Sequence, residues 1–298
     1  MAGTRVELSV SSGTARITLD GPATRNALDA RAAADLLAVC AEIDADPGVG
    51  AAIITGAGPA FCSGADTRVL DGLRGGRPDE IHDGLENLYA AFRRVAQLSV
   101  PTVAAINGAA VGAGLNLALV ADLRIVASDA VLVSGFARIG LHPGGGHLHL
   151  LARAGGVGIA AAAGVFARPI TADQAVAAGL AWTAVPGAEL LAVAEQSVAH
   201  LAADPPLARA LAVTLRHTVA DATAWERAVE IERGRQMWSL SRPRQVVTTG
   251  SCSGDAGSQT VADKAEEESC SGATADDDNA VRRRLSPADP GRTSVRDH

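Results

Sequence analysis

The sequence is poor in aromatic residues and in cysteine. Aromatic residues make up 3% of the 298 residues, whereas apolar residues make up 48%. A chain of this length can bury a sizeable core, and that core has to be built mainly from Ala, Val, Leu and Ile. The four cysteines (Cys40, Cys62, Cys252 and Cys270) form no CxxC pair. This pattern favours free thiols in a reducing compartment over a disulfide framework.

The sequence also lacks an excess of positive charge and long apolar runs. Its formal net charge is −7, which argues against binding to nucleic acid or an anionic membrane, since both usually need a basic face. The first ten residues, MAGTRVELSV, contain no basic segment followed by an apolar run, so no secretory signal is expected. No window reaches the roughly 18 uncharged apolar residues of a membrane span. We therefore expect a soluble, cytoplasmic protein.

The composition changes beyond about Arg244. The remaining segment has no aromatic residue and almost no Leu or Ile, and it carries acidic blocks at 266–268 and 276–278 and a basic block at 282–284. Such a segment cannot bury enough apolar surface to offset the entropy lost on ordering. Residues 245–298 are thus predicted to form a disordered polar tail. The charge runs favour a solvated stretch over an interaction motif.

The rest of the chain predicts an α/β fold. VELSV and ARITL form a predicted hairpin, Asp29 can cap a helix that extends to about Asp44, and GAAIITG and PTVAAI are buried strands. GAGPAFCSGAD is predicted to be a loop, and the charged stretch 71–84 a mobile one. LRIVAS and AVLVS read as further strands, and helices are predicted from about Ala188 to Ser239. Strands that alternate with helices through short links indicate α/β layering, with a helical C-terminal part.

Two glycine-rich turns, FCSGAD and GAAVGAG, each follow a buried strand. Glycine lets backbone N–H groups approach a ligand without an intervening Cβ atom. The N–H groups of Ala65 and Ala113 could both point at one oxygen, which would make an oxyanion hole for a carbonyl that gains negative charge. Two alternatives stay open: the glycines serve only tight turns, or they hold a phosphate. The second is disfavoured because GAAVGAGL lacks the Lys-Ser/Thr of a P-loop and no GxGxxG is present.

A family resemblance rests on ordered motifs. These are RNAL (25–28), AFCSGAD (60–66), PTVAAINGAAVGAGLNLALVADLRIVAS (101–128), RIGLHPGGG (138–146) and ADQAVAAGLAWTAV (172–185). In these segments the sequence resembles the crotonase, or enoyl-CoA hydratase/isomerase, family, over roughly residues 5–244. The resemblance implies a spiral of ββα units over residues 1–190 and a helical trimerisation region over 191–244. It also implies a homotrimer or a dimer of trimers.

The resemblance implies an acyl-CoA thioester as the substrate, with no cofactor other than the coenzyme A that the substrate carries, and no metal. It places the two backbone donors for a thioester enolate on Ala65 and Ala113. The substrate and coenzyme A path would be lined by Arg25, Ala27, Ser63, Gly64, Asp66, Thr67, Gly112, Phe136 and Gly144. Asp66 is also expected to shape its loop, because it follows a backbone donor.

The sequence departs from the family where proton transfer is concerned. Hydratases of the family use two glutamates, whose positions fall on Asn116 and Phe136, and the acid of some isomerases falls on Gly144. None of these can take a proton at neutral pH, and general acid–base catalysis is worth about 10²–10⁴-fold. Asn116 could instead orient a water or the substrate carbonyl, and Phe136 would make the pocket drier and favour an apolar acyl group.

Other residues could supply a proton or a nucleophile. His142, His147 and His149 lie in and just after the segment RIGLHPGGG. On a strand His147 and His149 would share one face, whereas on a helix they would diverge. His142 could act as an acid or base, or it could cap or pack in its turn while the other two face a neighbouring helix. No third ligand accompanies them, which disfavours a metal site. Cys62 could be an activated nucleophile, but no paired histidine lies within sequence reach, so a small packing residue is favoured.

Two functions follow from these observations. The first is an acyl-CoA enzyme of the hydratase/isomerase type, which holds a thioester enolate in a backbone oxyanion hole, with hydration of a 2-enoyl-CoA as its default reaction. The absence of both glutamates argues against efficient hydration. The second is a catalytically impaired thioester-binding or auxiliary protein of an acyl-CoA pathway. Asn116 and Phe136 are the residues that favour this alternative.

Overall fold

The structure is a computed structural model that describes residues 3–219 and 222–242. The strands are β1 (Arg5–Ser11), β2 (Thr14–Asp20), β3 (Ala51–Gly56), β4 (Ala60–Cys62), β5 (Thr102–Ile106), β6 (Ala109–Val111), β7 (Leu123–Ala127), β8 (Val131–Val133), β9 (Ile170–Thr171) and β10 (Thr183–Val185). The helices are α1 (Ala30–Ala45), α2 (Thr67–Leu73), α3 (Pro78–Ala96), α4 (Ala113–Leu119), α5 (His147–Ile159), α6 (Ala172–Ala177), α7 (Leu190–Ala202), α8 (Pro205–Val219) and α9 (Ala222–Leu240). The tail predicted for 245–298 lies outside the described residues.

Two sheets run through the molecule. The larger has the order β1-β2-β3-β5-β7-β10, and the smaller has the order β4-β6-β8-β9. Three successive passes of the chain, β3 to β4, β5 to β6 and β7 to β8, each add one parallel strand to the larger sheet and one to the smaller. A helix follows each pass. This repetition is the ββα spiral that the family resemblance implies.

The N-terminal hairpin is confirmed by the pairing of β1 and β2. The pairs run from Arg5↔Asp20 to Ser11↔Thr14, and Ser12 and Gly13 turn the chain with φ of 48° and 77°. Alternate residues of β2, namely Ala15, Ile17 and Leu19, are buried, as the period of two in a half-buried strand requires. The strands β3 and β5 are instead buried along almost their whole length, because α7 and β4 both pack against them.

Helix α1 begins as predicted. The Asp29 carboxylate accepts a hydrogen bond from the Ala32 N–H at 2.8 Å, so it satisfies one of the N–H groups that lack a partner at the helix start. The prediction of a mobile loop over 71–84 is wrong, because this stretch holds the end of α2 and the start of α3. The Arg77 N–H donates to the Glu80 carboxylate at 3.1 Å, and a proline occupies the first turn of α3, so local capping signals start the helix there.

The prediction for the GAGPAFCSGAD loop also needs correction, because strand β4 lies inside it. The segment is only three residues long and has no alternation of its own, so a propensity argument cannot detect it. Its backbone is paired because β6 lies alongside: Ala60 pairs with Ala109 and Cys62 with Ala110. The tertiary neighbour, and not the local sequence, makes this strand.

Three helices end the described chain, in agreement with the prediction of helices from about Ala188 to Ser239. Helix α9 packs against α3 and α5 of the same chain. Its Trp225 indole N–H lies 3.4 Å from the Gly145 carbonyl oxygen, to which it donates. The last helix therefore contacts the turn that leads into α5.

Helix α5 and the π-helical turn Ala160–Val165 form a single apolar segment. Within the described residues, His147–Val165 is the one segment long and apolar enough to cross a bilayer, with a mean hydropathy of 1.4. Such a criterion is also met by helices of soluble proteins, and the backbone of Gly156 leaves the helical region with φ of 82° and ψ of 167°. The break at Gly156 divides the segment into two helical stretches.

Candidate functional site

The two glycine-rich turns lie against each other. They leave the neighbouring parallel strands β4 and β6 of the smaller sheet, not β3 and β5 directly as the sequence suggested. A Cβ atom placed on Gly64 would lie 2.6 Å from the Val111 carbonyl oxygen and 3.4 Å from the Ala113 nitrogen. Only glycine therefore permits this approach, and the turn after β4 comes directly beside the residue that starts α4.

The Ala65 N–H points towards this contact. Leu28 pairs with Ala65 in a parallel bridge, in which the Leu28 N–H donates to the Gly64 carbonyl at 2.7 Å and its carbonyl accepts from the Asp66 N–H at 2.9 Å. In such a parallel bridge Leu28 bonds to the residues before and after Ala65 and not to Ala65 itself. The backbone N–H of Ala65 therefore lies on the side opposite Leu28. The N–H of Ala65 thus faces away from Leu28, on the side of β6.

The Ala113 N–H opens helix α4. The first N–H groups of a helix have no acceptor inside it. Gly112, the residue before, has φ of 53° and ψ of −114°, a conformation that side chains disfavour. Helix α4 begins at Ala113 itself. Two backbone donors thus lie on adjacent turns, Ala113 being buried and Ala65 half-buried.

The predicted coenzyme A path follows the segment that contains Arg25 and Ala27. Its backbone runs beside the first turn: the Ser63 N–H donates to the Arg25 carbonyl at 2.9 Å, and the Ser63 hydroxyl donates to the Thr24 carbonyl at 2.9 Å. Arg25 and Asn26 have φ of 53° and 59°. The structure therefore brings Arg25, Ala27, Ser63 and Gly64 together along one edge of the donor pair.

Asn26 fixes this segment, and the sequence analysis missed it. Its side chain is fully buried; the amide oxygen accepts from the Gly21 N–H at 2.9 Å and the amide nitrogen donates to the Ala60 carbonyl at 2.8 Å. Asparagine tolerates the left-handed region and bonds to nearby backbone groups, so the RNAL motif carries the signal. The Asn26 side chain thus anchors the segment that carries the predicted coenzyme A path, through hydrogen bonds to the backbone of its neighbours.

Asp66 caps helix α2. Its carboxylate accepts from the Arg68 N–H at 2.8 Å and from the Arg68 guanidinium at 2.6 Å. The hydrogen bonds from the Arg68 side chain are the main reason why the pKa of this carboxyl lies below its usual range. Thr67 is the exposed first residue of the same helix. Asp66 thus shapes its loop, as the sequence predicts.

Cys62 is a packing residue. Its thiol is buried, and burial raises its pKa to about 12. Gly114 lies so close that a Cβ atom there would be 2.8 Å from the Cys62 sulfur. The thiol therefore fills the contact between β4 and α4, which agrees with the packing interpretation and leaves no thiolate for catalysis.

A histidine occupies the space between Asn116 and Phe136. His147 Nδ1 lies 2.6 Å from the Asn116 amide oxygen, and the Phe136 ring packs edge-on against the imidazole with centroids 4.9 Å apart. On the other side, His147 Nε2 lies 2.7 Å from the Ser134 hydroxyl. The prediction that His147 faces a neighbouring helix is incomplete, because its ring joins both positions at which the family resemblance expects glutamates.

The hydrogen bonds fix how this histidine is protonated. The Asn116 amide nitrogen donates to the Gly144 carbonyl at 3.0 Å, so its amide oxygen faces His147. That oxygen can only accept, hence Nδ1 carries the proton and Nε2 accepts from Ser134. Burial lowers the pKa of His147 to about 3, so the neutral imidazole is the resting form.

Gly144 does not leave room for a side chain. A Cβ atom there would collide with the Gln236 amide oxygen and the Tyr89 hydroxyl, which are themselves hydrogen-bonded to each other. The carbonyl of Gly144, by contrast, faces Asn116. This position contributes a backbone oxygen to the site, and its α-carbon faces the buried polar pair from α3 and α9.

Glu232 of α9 supports His147 from the backbone side. Its carboxylate accepts from the His147 N–H at 2.7 Å and from the Leu148 N–H at 2.9 Å, at the start of α5. Burial raises its pKa to about 7, although the N–H groups of the helix start favour the charged form. An acidic side chain from the last helix thus caps the helix that carries the buried histidine.

The remaining histidines have local roles. The His142 N–H donates to the Ser239 hydroxyl at 2.9 Å, and its Nδ1 lies 2.7 Å from the Pro143 carbonyl, which fits the packing role and not the catalytic one. Residues 147–159 are helical, so His147 and His149 diverge, as the helical alternative requires. Within the described ranges, no group of three or more His, Cys, Asp or Glu residues could hold a metal ion.

Comparison with known proteins identifies the family. A sequence profile described as "Enoyl-CoA hydratase/isomerase" matches residues 9–241. The chain belongs to this family. Among enoyl-CoA hydratase/isomerase relatives, it is 40% identical over 242 residues to "Probable enoyl-CoA hydratase EchA14" of Mycobacterium tuberculosis (strain ATCC 25618 / H37Rv), which covers 80% of this chain and 93% of that protein.

Two further similarities widen the comparison. The chain is 32% identical to "1,2-epoxyphenylacetyl-CoA isomerase" of Escherichia coli (strain K12), over 66% of this chain and 75% of that protein. The crystal structure of an enoyl-CoA hydratase/isomerase from Xanthobacter autotrophicus Py2 superposes with a TM-score of 0.74 at 28% identity, over 81% of this chain and 90% of that one. The chain thus has the fold of the enoyl-CoA hydratase/isomerase family.

Sequence reasoning missed the polar groups that meet at the site from distant elements. They are Ser134, Glu232, Tyr89 and Gln236. One signal was available for Ser134: it follows β8, and Val133 pairs with Val111 of β6 just before the second turn. For Glu232 and Gln236 of α9 no signal exists in the local sequence, because only the packing of α9 on α3 and α5 brings them to the site.

Proposed function

We propose that the protein binds acyl-CoA thioesters and stabilises their enolate form through the backbone N–H groups of Ala65 and Ala113. The observation that carries this proposal is the close approach of the two turns, 3.4 Å from a Cβ position on Gly64 to the Ala113 nitrogen. Two fixed donors on one oxygen gain strength as that oxygen becomes negative. One such donor is typically worth about 10²–10³-fold in rate.

The substrate follows the path that the sequence predicts. Arg25, Ala27, Ser63 and Gly64 run along one side of the donor pair, and Asp66 and Thr67 continue it into α2. Gly112 and Phe136 flank the second donor on the other side, because a Cβ atom on Gly112 would lie 3.5 Å from the Phe136 ring. The acyl group therefore meets an apolar wall. No cofactor beyond the substrate's coenzyme A takes part in this proposal.

Hydration of a 2-enoyl-CoA is the default reaction of this proposal, and we expect it to be slow. Neither Asn116 nor Phe136 can accept a proton from water, and Asn116 already uses its amide on His147 and Gly144. The two hydrogen bonds of the Asn116 amide also favour the second candidate, a thioester-binding protein with impaired proton transfer. The two candidates share the donor pair and differ only in turnover.

A proline at position 113 tests the donor pair. Position 113 is the first residue of α4, where proline is tolerated because its missing N–H has no acceptor in the helix. We expect Ala113→Pro to lower kcat/KM for crotonyl-CoA, or the affinity for an acyl-CoA where turnover is absent, by about 10²-fold or more. The matched control is Ala30→Pro at the first residue of α1, which should leave both unchanged. Equal losses in the two variants would contradict the assignment.

The two candidates are separated by steady-state hydration of crotonyl-CoA. An enzyme hydrates it measurably in its native form. An impaired protein binds a non-hydrolysable acyl-CoA thioether but hydrates only after Asn116→Glu and Phe136→Glu are combined, if the scaffold tolerates both. Native turnover at ordinary hydratase rates would exclude the auxiliary candidate.

The protein's assembly and location complete the proposal. We expect a homotrimer, or a dimer of trimers, in which the exposed apolar side chains Val157, Val165, Phe166 and Trp182 are candidates for the interface, because burying them would remove apolar surface from water. A cytoplasmic location is supported by Cys40 and Cys62, which are free thiols in the described part of the chain. Neither nucleic acid nor a membrane is an expected partner.

A further inference from the structure

Three buried polar side chains from three parts of the fold are joined in one continuous line of hydrogen bonds. Asn116 comes from α4, His147 from the start of α5, and Ser134 from the end of β8. Their exposed fractions are 1%, 0% and 2%. The hydrogen bonds within this line offset the cost of burying its polar groups, and the proposed stabilisation of a thioester enolate gives the line no chemical role.

The direction of the hydrogen bonds makes Ser134 the donor at one end. The Gly144 carbonyl orients the Asn116 amide, the amide oxygen holds the proton on His147 Nδ1, and Nε2 is left to accept the Ser134 hydroxyl at 2.7 Å. This is the arrangement of a nucleophile, a base and an orienting group. Asparagine serves as the orienting group in the cysteine–histidine–asparagine version of such a triad.

The line ends beside the proposed oxyanion hole. The Val133 carbonyl accepts from the Gly112 N–H at 2.9 Å, and a Cβ atom on Gly112 would lie 3.5 Å from the Ser134 carbonyl oxygen. Ser134 therefore lies across from Gly112, the residue that precedes the second donor. The residue that carries the buried hydroxyl thus adjoins the turn whose N–H groups would hold a tetrahedral oxyanion.

We propose that Ser134 is an acyl-accepting nucleophile, with His147 as its base and Asn116 as the positioning residue, and that the site hydrolyses acyl-CoA thioesters. The proposal goes beyond enolate stabilisation, and it rests on the proposed function for substrate binding and for the two backbone donors. The substrates are thioesters whose acyl group fits beside Phe136, and the second substrate is water.

The reaction balances without an oxidant or a further cofactor. Ser134 Oγ adds to the thioester carbonyl carbon and passes its proton to His147 Nε2, while the N–H groups of Ala65 and Ala113 hold the oxyanion. The C–S bond then breaks, and the thiolate of coenzyme A takes the proton, which leaves an acyl-serine ester. Water adds to this ester with His147 as the base, the C–O bond to Ser134 breaks, and the hydroxyl recovers its proton. The products are a carboxylic acid and free coenzyme A.

Two features make this reaction slow. An uncharged amide oxygen and complete burial both disfavour the imidazolium, so His147 is a weaker base than the histidine of an aspartate-containing triad. The Phe136 ring also covers His147 and adjoins Gly112, so the acyl group reaches Ser134 only when the ring turns aside. We expect turnover with a low kcat and a clear dependence on Ser134.

Saturated thioesters provide the test, because butanoyl-CoA has no double bond to hydrate. Release of coenzyme A from butanoyl-CoA and octanoyl-CoA is measured with a thiol reagent for the wild type, for Ser134→Ala and for the control Ser197→Ala, whose hydroxyl bonds only to its own helix. Binding of the non-hydrolysable butyl-CoA thioether is measured in parallel by calorimetry. We expect Ser134→Ala to lower release by about 10³-fold or more, with thioether binding and the control unchanged.

Two measurements need no variant and keep the proposal testable if Ser134→Ala fails to fold. Acid quench of the wild type with octanoyl-CoA should yield an acylated peptide that contains Ser134. Added hydroxylamine should divide the product between hydroxamate and acid in one ratio for all thioesters of the same acyl group, because they share one acyl-enzyme.

The outcomes separate the two proposals. Thioether binding without release of coenzyme A, or release that Ser134→Ala does not lower, overturns the nucleophile and leaves the proposed function standing. Absence of both binding and release overturns the proposed function and the nucleophile with it. An acyl group found on another residue, such as a lysine, also rules out Ser134.

Discussion

At the scale of single residues, Asn116 determines the state of the histidine beside it. Its amide has one orientation, because the amide nitrogen must face the Gly144 carbonyl, which is an acceptor. The amide oxygen then faces His147 Nδ1, which must donate. The amide supplies a dipole where a carboxylate would supply a charge. His147 therefore stays neutral in a buried site, and its pKa is lowered to about 3.

A carboxylate at this position should change that balance. In Asn116→Asp, a negative charge 2.6 Å from Nδ1 would favour the imidazolium, so we expect the pKa of His147 to rise by several units and coenzyme A release from butanoyl-CoA to increase by about 10-fold or more. The same change leaves the Gly144 carbonyl without its donor, so stability should fall by about 1–3 kcal/mol. NMR titration of the histidine and the pH profile of release measure both effects.

Asn107→Asp is the matched control for this substitution. Its amide nitrogen also donates to a backbone carbonyl, that of Gly58 at 2.9 Å, but no histidine faces it. It should lose stability without any gain in release. An unchanged histidine pKa in Asn116→Asp would contradict the hydrogen-bond direction that we assign.

Position 116 also shows what the sequence can reveal about the site. Counting three residues from Ala113 identified it as the place where proton transfer departs from the family. The count could not reveal the partner of Asn116, because His147 lies 31 residues away and reaches the site only through the start of α5. A spacing locates a position on one helix, whereas a contact between helices requires the packed structure.

At the scale of elements, helix α5 depends on α9 for its start. Residue Gly146 before α5 offers no side chain as a cap, and the Glu232 carboxylate takes that role from the last helix. The sequence predicts helices over the region of α9, and the structure confirms them. It does not predict the contact between α9 and α5, because α9 shows no clear apolar stripe from which its buried face could be identified.

The free energy of unfolding depends on pH through two buried groups, Glu232 and His147, which act in opposite directions. The pKa of Glu232 is raised from 4.5 to about 7, so its contribution to stability is full below pH 4.5 and is lost as the pH rises through 7. The pKa of His147 is lowered from 6.5 to about 3, so its contribution is full above pH 6.5 and is lost as the pH falls. Between these limits the two effects partly cancel in the wild type.

The variant Glu232→Gln should reveal how much of this pH dependence comes from Glu232. At about 1.4 kcal/mol per pKa unit, the free energy of unfolding of the wild type relative to this variant should decline by on the order of 3 kcal/mol between pH 4.5 and 7. Urea unfolding at several pH values measures it. The exposed Glu226→Gln, on the same helix, is the control and should show no such change. A constant difference across this range would show that folding does not raise the pKa of Glu232.

At the scale of the whole molecule, the ββα spiral follows from the order of short buried strands and glycine turns. The larger sheet was largely predictable, because β3 and β5 are continuous apolar runs. The smaller sheet was not, since β4 and β6 are only three residues long and gain their pairing from each other. The two donors directly follow strands of this smaller sheet. The site therefore depends on the part of the fold that strand propensity is least able to predict.

The exposed apolar side chains make the assembly of the molecule a testable property. Phe166 and Trp182 are 73% and 74% exposed in the single chain, so they add little to its folding but would stabilise an interface at about 25 cal/mol for each Å² buried. We expect Phe166→Glu combined with Trp182→Glu to lower the mass in solution from a trimer towards a monomer, as measured by light scattering, without loss of secondary structure. Val10→Glu, at an exposed position of the hairpin, is the control and should keep the mass. If the double variant keeps the wild-type mass, these side chains do not hold the assembly together, and a native mass of one chain would exclude the trimer itself.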